Sequence, residues 1–398
     1  METKGISKLD LKRRNRRQIL LAIRRDGMLA RVDIAAQLAL TRAAVTIITN
    51  QMIAQNILED MSGPLPVKTD EPPRKGRKKT MIRINPTFRY VLGAVVEERG
   101  VSVGLSDLSG KPLGHEILML SEDSGMEQIT AFIVKSVKKL MKKASLTAKQ
   151  VLGLGLGIVP AHWKLLEAEE AANHQVFFPK LIAALEKDLH LPVCAANAIG
   201  LYAMANIEYG KEEQDNLLLL YKGESYHFAA VTDSTLVGGI FANTALVDRL
   251  IITPNGEKAE GYPDGSVHAE MTDTALNRRI KAAIGRELTL DEINEAFIAK
   301  DPKLLQILEE VLDKIAVLIH NLCIGHRTTR VILQHFHPCD EAKDYVQKKL
   351  DSICETPGRI RIVYSPIDKE QAYLAGCALA AEKLFFDLGG LQPGDPVA

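Results

Sequence analysis

The amino-acid sequence predicts an α/β protein built of a small helical head and a larger body in which strands and helices alternate. Its 398 residues are long for one domain, and 46% of them are apolar, which is enough for a sizeable core. Up to about residue 58 the apolar residues recur at helical spacing, whereas alternating, strand-like stretches begin at residue 81. The charge changes at the same place.

The charge is unevenly distributed, although the formal net charge is zero. Residues 1–85 hold 18 Lys and Arg against 8 Asp and Glu, a net charge of +10, and the other 313 residues hold 32 against 42, a net charge of −10. A basic head on an acidic body is typical of a polyanion-binding module joined to a part that does not bind DNA. A basic tail with no role is the alternative.

The cysteines point to a reducing compartment, because an odd, scattered set of five with no CxxC pair argues against a disulfide framework. The N-terminus has no apolar signal-peptide core, and no apolar run approaches the ~18 residues of a membrane span. The sequence therefore predicts a cytoplasmic protein without a membrane partner. The cysteines are Cys194, Cys323, Cys339, Cys354 and Cys377.

Residues 33–52 have the pattern of a helix-turn-helix, in which a second helix enters the major groove of DNA. Thr41 stands where an N-cap would begin that helix, because its hydroxyl can accept from a backbone N–H. Arg42, Thr46 and Asn50 then fall at i, i+4 and i+8 on the face turned away from the core. We predict that these three and Ala43 contact DNA; an ordinary helical hairpin is the alternative. The apolar faces comprise Ile34, Ala35 and Leu38 on the first helix and Val45, Ile48 and Met52 on the second.

A basic run at residues 12–17 leads into an amphipathic helix that Gly27 ends. We predict that Arg16 and Arg17 in this run contact DNA phosphates, which orient a protein on DNA without reading its sequence. A solvated helix face is the alternative.

Residues 59–80 contain four prolines, two glycines and the densest basic cluster of the chain. A helix-turn-helix followed by a hairpin with a basic tip predicts a winged helix. Because Gly76 lets the backbone approach phosphates closely, Lys75, Arg77 and Lys78 are predicted DNA contacts, with the arginine reaching toward the minor groove. A proline-rich linker is the alternative.

Beyond residue 90 the strands fall in two blocks with helices among them, which predicts two lobes around a cleft. A turn at residues 107–110 separates two strands of a meander. Further predicted helices lie at 126–143, 179–188, 198–209 and 341–354, and further strands at 151–159, 217–221, 330–334 and 360–363.

Several different short motifs follow one another along the chain in a recognisable order. They are Gly76-Arg77, Ile84-Asn85-Pro86, Asp107-Leu108-Ser109-Gly110, Gly153-Leu154-Gly155-Leu156-Gly157, Pro160, Ala196-Asn197-Ala198, Pro254-Asn255-Gly256 and Ala375-Gly376-Cys377-Ala378. In these the chain resembles, over almost its whole length, the winged-helix repressor branch of the ROK family (repressors, open reading frames and sugar kinases). The resemblance implies a winged helix-turn-helix at residues 1–85 and a two-lobed, actin-like (ribonuclease-H-like) ATPase-type body. It implies lobes at 86–200 and 201–398, the second with a helical dimerisation region, and a sugar effector in the cleft.

The resemblance also marks the family's catalytic features that this chain lacks. ROK kinases use an Asp in an Asn-Asp-Ala-Asn segment as general base, and Ala195 occupies that position, which excludes phosphoryl transfer by the family's route. Only Gly223 remains of the glycine-rich phosphate segment, where Glu224 would repel phosphate, and Val95 replaces an acidic residue of the phosphate site. The sequence therefore predicts no catalytic residue, no ATP and no other cofactor.

The sugar and zinc motifs of the family are replaced as well. The Glu-x-Gly-His motif falls on residues 246–249, which read Leu-Val-Asp-Arg. The zinc cysteines would fall near Ala259, Gly261 and Ser266, so the structural zinc site is expected to be lost.

Other side chains could have taken over parts of the cleft. Asn197 is a candidate ligand contact, and so is Trp163, for which simple packing is the alternative. His335, His337 and Cys339 place three metal-capable groups at i, i+2 and i+4, but no carboxylate completes them. A metal site and a loop lining the lobe interface both stay open there, and no metal is predicted.

These features favour a DNA-binding transcriptional regulator, a repressor of carbohydrate-related genes without kinase activity. Because one recognition helix with its wing covers a single half-site, a homodimer or higher homo-oligomer is expected to bind a double-stranded operator. A sugar or sugar phosphate is the expected effector. The alternatives are a sugar kinase with an accessory DNA-binding head, and a body that serves only dimerisation or protein interaction.

Overall fold

The head is a winged helix, as predicted, and it precedes a body of two lobes. Gly27 takes a positive φ of 74° directly after the first helix, where a residue with a side chain would be strained. The three short strands pair antiparallel in the order β1-β3-β2. The head elements are α1 Lys8–Asp26, β1 Leu29–Ala30, α2 Arg31–Gln37, α3 Arg42–Ala54, β2 Leu58–Met61 and β3 Met81–Ile84. This computed structural model describes residues 8–61, 80–121, 124–163, 166, 169–170, 176–209, 216–233, 235–239 and 244–391.

The first lobe is a five-stranded sheet with helices against it. Strand order is β10-β7-β4-β5-β6; β7 runs parallel to β4 and β10, and β5 and β6 continue as an antiparallel meander. Ile129, Ile133 and Val137, at helical spacing on α4, are fully buried against the sheet. The elements are β4 Tyr90–Glu97, β5 Gly100–Asp107, β6 Pro112–Met119, α4 Met126–Lys143, β7 Val151–Ile158, β8 Glu169–Glu170, β9 Val176–Phe177, α5 Pro179–Leu189, β10 Val193–Asn197 and α6 Ala198–Tyr209.

The second lobe repeats this topology. Its sheet has the order β15-β14-β11-β12-β13, again with three parallel strands followed by an antiparallel meander. The duplication gives the two-lobed body that was predicted. The elements are β11 Leu217–Lys222, β12 Tyr226–Thr232, β13 Thr235–Leu236, α7 Val267–Met271, α8 Asp273–Ile284, α9 Leu290–Ile298, α10 Leu305–His326, β14 Arg330–Gln334, α11 Asp340–Ile353 and β15 Arg361–Tyr364.

The last helix, α12 (Tyr373–Ala381), returns to the first lobe and packs on β4 and β7. Only glycine allows this close contact. A Cβ on Gly155 would collide with the carbonyl oxygen of Gly376, and a Cβ on Gly376 would collide with the carbonyl oxygen of Gly155. The boundary expected from the resemblance is therefore wrong at this end: residues 201–398 do not all belong to the second lobe.

A π-helical turn, Glu382–Phe386, continues α12 toward the head. Phe385 and Phe386 are buried in one apolar cluster with Ile19, Leu20 and Ile23 of α1. The head therefore shares part of its core with the body.

Candidate nucleic-acid interface and interlobe cleft

Helix α3 is held by its N-cap and by its apolar face. The Thr41 hydroxyl accepts a hydrogen bond from the Ala44 N–H at 3.2 Å, which confirms the predicted cap. Val45, Ile48 and Met52 are buried in the head core, as their spacing predicts. The opposite face of the helix is therefore presented to solvent.

The exposed face of α3 carries all four residues predicted to contact DNA. Arg42, Ala43, Thr46 and Asn50 are exposed. The structure adds Ile47, whose side chain is 59% exposed although an apolar residue within a helix is expected to be buried. An apolar group beside polar ones on a recognition helix suits the methyl group of thymine.

Arg31 on α2 positions one of these residues. Its guanidinium donates to the Asn50 side-chain oxygen at 3.1 Å and to the Thr49 hydroxyl at 3.1 Å. The same group lies 3.5 Å from the Asp60 carboxylate on β2. Arg31 thus ties the recognition helix to the wing hairpin, a role that the sequence pattern did not indicate.

The wing itself is described only at its base. Strands β2 and β3 pair from Leu58 with Ile84 to Met61 with Met81, so the chain leaves and re-enters at the same end of the hairpin. Lys75, Arg77 and Lys78 lie outside the described residues, and their DNA contacts stay predictions.

The position of Arg16 is inconsistent with the predicted phosphate contact. Its side chain is buried at 1% exposure, and it donates to the Gly389 carbonyl at 2.7 Å and to the Gln55 side-chain oxygen at 2.9 Å. A buried guanidinium with these partners cannot reach a phosphate, so the prediction is corrected: Arg16 joins the head to the C-terminal segment. Arg17 is 41% exposed and pairs with Asp387 at 3.1 Å, so its DNA contact stays a prediction.

Arg24, in the last turn of α1, forms the second junction between head and body. It pairs with Glu382 at 2.8 Å and with Glu208 at 3.1 Å, and its guanidinium lies 4.2 Å above the Phe386 ring. Burial raises the pKa of Glu208 to about 7, although the Arg24 charge opposes that shift. Glu208 stands near the end of α6, the helix that begins at the cleft.

The cleft between the lobes holds a cavity of about 120 Å³. Asn197, predicted as a ligand contact, lies in its wall and is 2% exposed. The Asn197 amide donates to the Thr244 hydroxyl of the second lobe at 3.1 Å and accepts from the Ile199 N–H at 2.9 Å. It therefore bridges the lobes and caps the first turn of α6.

Trp163 is packed rather than presented to this cavity. Its indole N–H donates to the Ile158 carbonyl at 3.3 Å, and its ring lies against the first-lobe core. The cavity lining does not include it. Ring stacking on a ligand by Trp163 is therefore not supported, and the packing alternative describes this residue.

The comparisons with known proteins agree with this architecture. The ROK family pattern matches residues 100–352, more than half of the chain. The chain belongs to the ROK family. Among curated proteins, the xylose repressor of Caldicellulosiruptor bescii is 22% identical over 235 residues, which are 58% of this chain and 56% of that protein. The chain thus matches little more than half the length of this relative.

Solved ROK structures share the fold. A ROK family transcriptional regulator, described as a homologue of the E. coli MLC protein, superposes with a TM-score of 0.75 at 17% identity, covering 95% of this chain and 98% of that one. A ROK hexokinase from Thermus thermophilus gives a TM-score of 0.60 at 16% identity over 73% of this chain and 98% of its own. The superposition with the regulator covers more of this chain than that with the hexokinase, because it includes the head. In the part of the chain that the structure describes, no helix could cross a membrane.

Other groups lie at the positions where the resemblance places the ROK kinase motifs. Ala195 and Val95 are buried among apolar side chains. At Gly223, the surviving glycine of the phosphate segment, the Glu98 carboxylate fills the space beside the backbone. A carboxylate there repels phosphate oxygens.

The predicted metal-capable residues after β14 have separate partners. His337 lies 2.7 Å from the Asp291 carboxylate, the Cys339 thiol faces Glu341, and His335 lies 3.2 Å from Glu97. Over the described ranges, no group of three His, Cys, Asp or Glu side chains is arranged to hold a metal ion. Where the resemblance places the zinc cysteines, Ser266 caps α7.

Glu97 is the centre of a buried polar cluster between the lobes, which the sequence did not reveal. From the first lobe it accepts a hydrogen bond from the Tyr202 hydroxyl on α6. From the second lobe His335 faces it at 3.2 Å, and Tyr221 donates to the neighbouring Glu98 at 2.8 Å. Burial raises the pKa of Glu97 to about 7, opposed by the Tyr202 hydrogen bond and reinforced by the Glu98 charge.

We expect Glu97→Gln to stabilise the protein at about pH 8 and to change little at about pH 5. The raised pKa means that the folded protein holds a proton on Glu97 that the unfolded chain, with a pKa of 4.5, releases. The contribution of Glu97 to the free energy of unfolding is therefore favourable at low pH and is lost as the pH rises toward 7. The shift corresponds to at most about 3 kcal/mol. Thermal unfolding at both pH values measures it.

Glu224→Gln is the matched control, because Glu224 is 57% exposed and pairs with Arg99 at the surface. It is expected to leave the pH dependence of the melting temperature as in the wild type. An equal melting temperature for wild type and Glu97→Gln at about pH 8 would show that Glu97 is not a strained buried acid.

Proposed function

We propose that this ROK protein is a DNA-binding transcriptional repressor of carbohydrate-related genes, acting in the cytoplasm. The observation that carries the proposal is the solvent-exposed face of α3, on which Arg42, Thr46 and Asn50 stand one helical turn apart. Arginine and asparagine are the side chains that recognise guanine and adenine edges in the major groove. The xylose repressor among its relatives and the regulator that shares its fold support the same function.

We further propose that the body has no kinase activity and binds no nucleotide cofactor. Ala195 supplies no general base, and the Glu98 carboxylate lies where a phosphate would approach Gly223. A sugar kinase with a DNA-binding head is the competing function, since ROK hexokinases share the fold of the body. ADP release measured over a panel of hexoses separates the two: turnover would contradict the proposal.

The body is proposed to control the head through α6. This helix begins at the Asn197 cap beside the cleft cavity, and near its end Glu208 pairs with Arg24 of the head. Its 12 residues span about 18 Å. A sugar or sugar phosphate that changes the Asn197–Thr244 contact between the lobes would move α6 and with it the Arg24 junction. Such a ligand acts by favouring one arrangement of the head.

A homodimer or higher homo-oligomer is proposed as the DNA-binding form. One α3 with its wing spans a single half-site, so a pseudo-palindromic operator with half-sites about one or more turns apart is expected. Selection of bound fragments from genomic DNA, followed by gel retardation, tests this. Recovery of fragments with no shared motif would contradict sequence-specific binding. If the body serves only dimerisation, the protein would bind the operator and no sugar would change that binding.

A further inference from the structure

A second cavity, of about 110 Å³, lies inside the second lobe between α9, α10 and α11 and the ends of β14 and β15. Among the described residues, none lines both this cavity and the cleft cavity. Its walls are mainly aliphatic and aromatic, with Ile293, Phe297, Ile315 and Val346 among them, and its polar lining residues include Lys222, Asn294, His337 and Lys343. The proposed DNA-binding function gives this space no role.

The cavity is open to small molecules. Its wall residues Ile293, Ile315 and Val346 keep exposures of 8%, 6% and 4%, whereas Ile319 and Leu350, farther along the same helices, are at 0%. Side chains of a closely packed core are fully shielded from solvent. The residual exposure therefore marks a space that the side chains leave unfilled. Water is poorly accommodated there, because it finds few hydrogen-bond partners on apolar walls.

Two cationic or titratable groups stand at the edge of the cavity. The Lys343 ammonium lies 2.6 Å from the Asp340 carboxylate and 5.3 Å from the centre of the Tyr364 ring, and His337 lies 2.7 Å from the Asp291 carboxylate. Asp340 and Asp291 are surface side chains, 78% and 81% exposed. A ligand carboxylate can take the place of either one without leaving a buried charge unpaired.

We propose that this cavity binds a compact apolar monocarboxylate, with an aromatic ring or a short branched chain inside and its carboxylate against Lys343 and His337. At about 110 Å³ the cavity is smaller than an apolar cavity of roughly 150 Å³ that holds benzene in another protein, so it encloses at most one ring or a short branched chain and leaves the carboxylate at its edge. The mainly apolar walls suit a hydrocarbon group better than the many hydroxyls of a sugar. The ligand class therefore differs from that proposed for the cleft.

The test is calorimetric titration of the full chain with phenylacetate and with phenylacetamide, its neutral analogue of the same shape. We expect saturable binding of phenylacetate and about tenfold weaker binding of phenylacetamide, because one charge-assisted contact is lost. Lys343→Met keeps the apolar stem but removes the charge, so it should narrow the difference between the two probes, with His337 left as the remaining partner of the carboxylate. Absence of saturable phenylacetate binding to the wild type would overturn the proposal.

A cavity-filling variant locates the site. Ala342 lines the cavity from α11, so Ala342→Leu should block both probes, whereas Ala283→Leu, on the exposed side of α8, should not. A melting temperature at or above that of the wild type shows that Ala342→Leu is folded. Unchanged phenylacetate binding by Ala342→Leu would refute the assignment. A change in the sedimentation of Ala342→Leu, together with no binding of either probe to the wild type, would also refute the assignment. The cavity would then serve as a contact between copies of the chain.

Discussion

Arg42→Ala is expected to weaken binding to the selected operator by about tenfold to a hundredfold, because a bidentate contact to a base contributes ~1–3 kcal/mol. Arg42 is the first residue of α3 and is exposed, and N-terminal residues of a recognition helix contact base edges. Loss of one base contact should also relax discrimination at one base pair. Fluorescence anisotropy with the operator and its single-base variants measures both effects.

Arg359→Ala is the control for Arg42, since it removes an exposed arginine from the segment just before β15 in the second lobe. It should bind the operator as the wild type does. If Arg42→Ala weakened binding to all sequences equally and lowered the salt slope by about one, Arg42 would be a phosphate contact and not a base contact.

Arg16→Met is expected to destabilise the head by roughly 2–4 kcal/mol while leaving the salt dependence of DNA binding unchanged. The methionine fills similar space but leaves the Gly389 carbonyl and the Gln55 side chain without their buried donor, and such unsatisfied groups cost ~1–3 kcal/mol each. Thermal unfolding and limited proteolysis measure the loss. Retardation below the melting temperature measures the salt slope.

Arg14→Met provides the comparison, because Arg14 is exposed on the same helix two residues earlier. It should leave the stability of the head near that of the wild type. A lower salt slope for Arg16→Met together with unchanged stability would restore the phosphate contact that the burial of Arg16 argues against.

Elements fixed by local spacing could be predicted from the sequence. The helices at 126–143 and 198–209 and the strand at 330–334 have the predicted ends, and Thr41 caps α3 as expected. In each case the periodicity of the apolar residues or a neighbouring side chain decides the conformation. The exposed face of α3 followed directly from the same register.

Features that depend on distant partners could not be predicted in this way. Arg16 belongs to a basic run that suggests phosphate binding, but its partner Gly389 lies 373 residues away. The return of α12 to the first lobe depends on the contact of Gly155 with Gly376, which is visible only once the sheet is formed. Ile47 has an apolar side chain, and spacing alone does not show that it faces solvent.

The shared core of α1 and the C-terminal π-helical turn sets an order on folding. Ile19, Leu20 and Ile23 are made early in synthesis, but Phe385 and Phe386, which complete their cluster, are added more than 360 residues later. Contacts so far apart in the chain close slowly and only after the intervening lobes have formed. A nascent chain therefore carries an incomplete head until translation has passed residue 389, so the core of the head is complete only when both lobes have been synthesised.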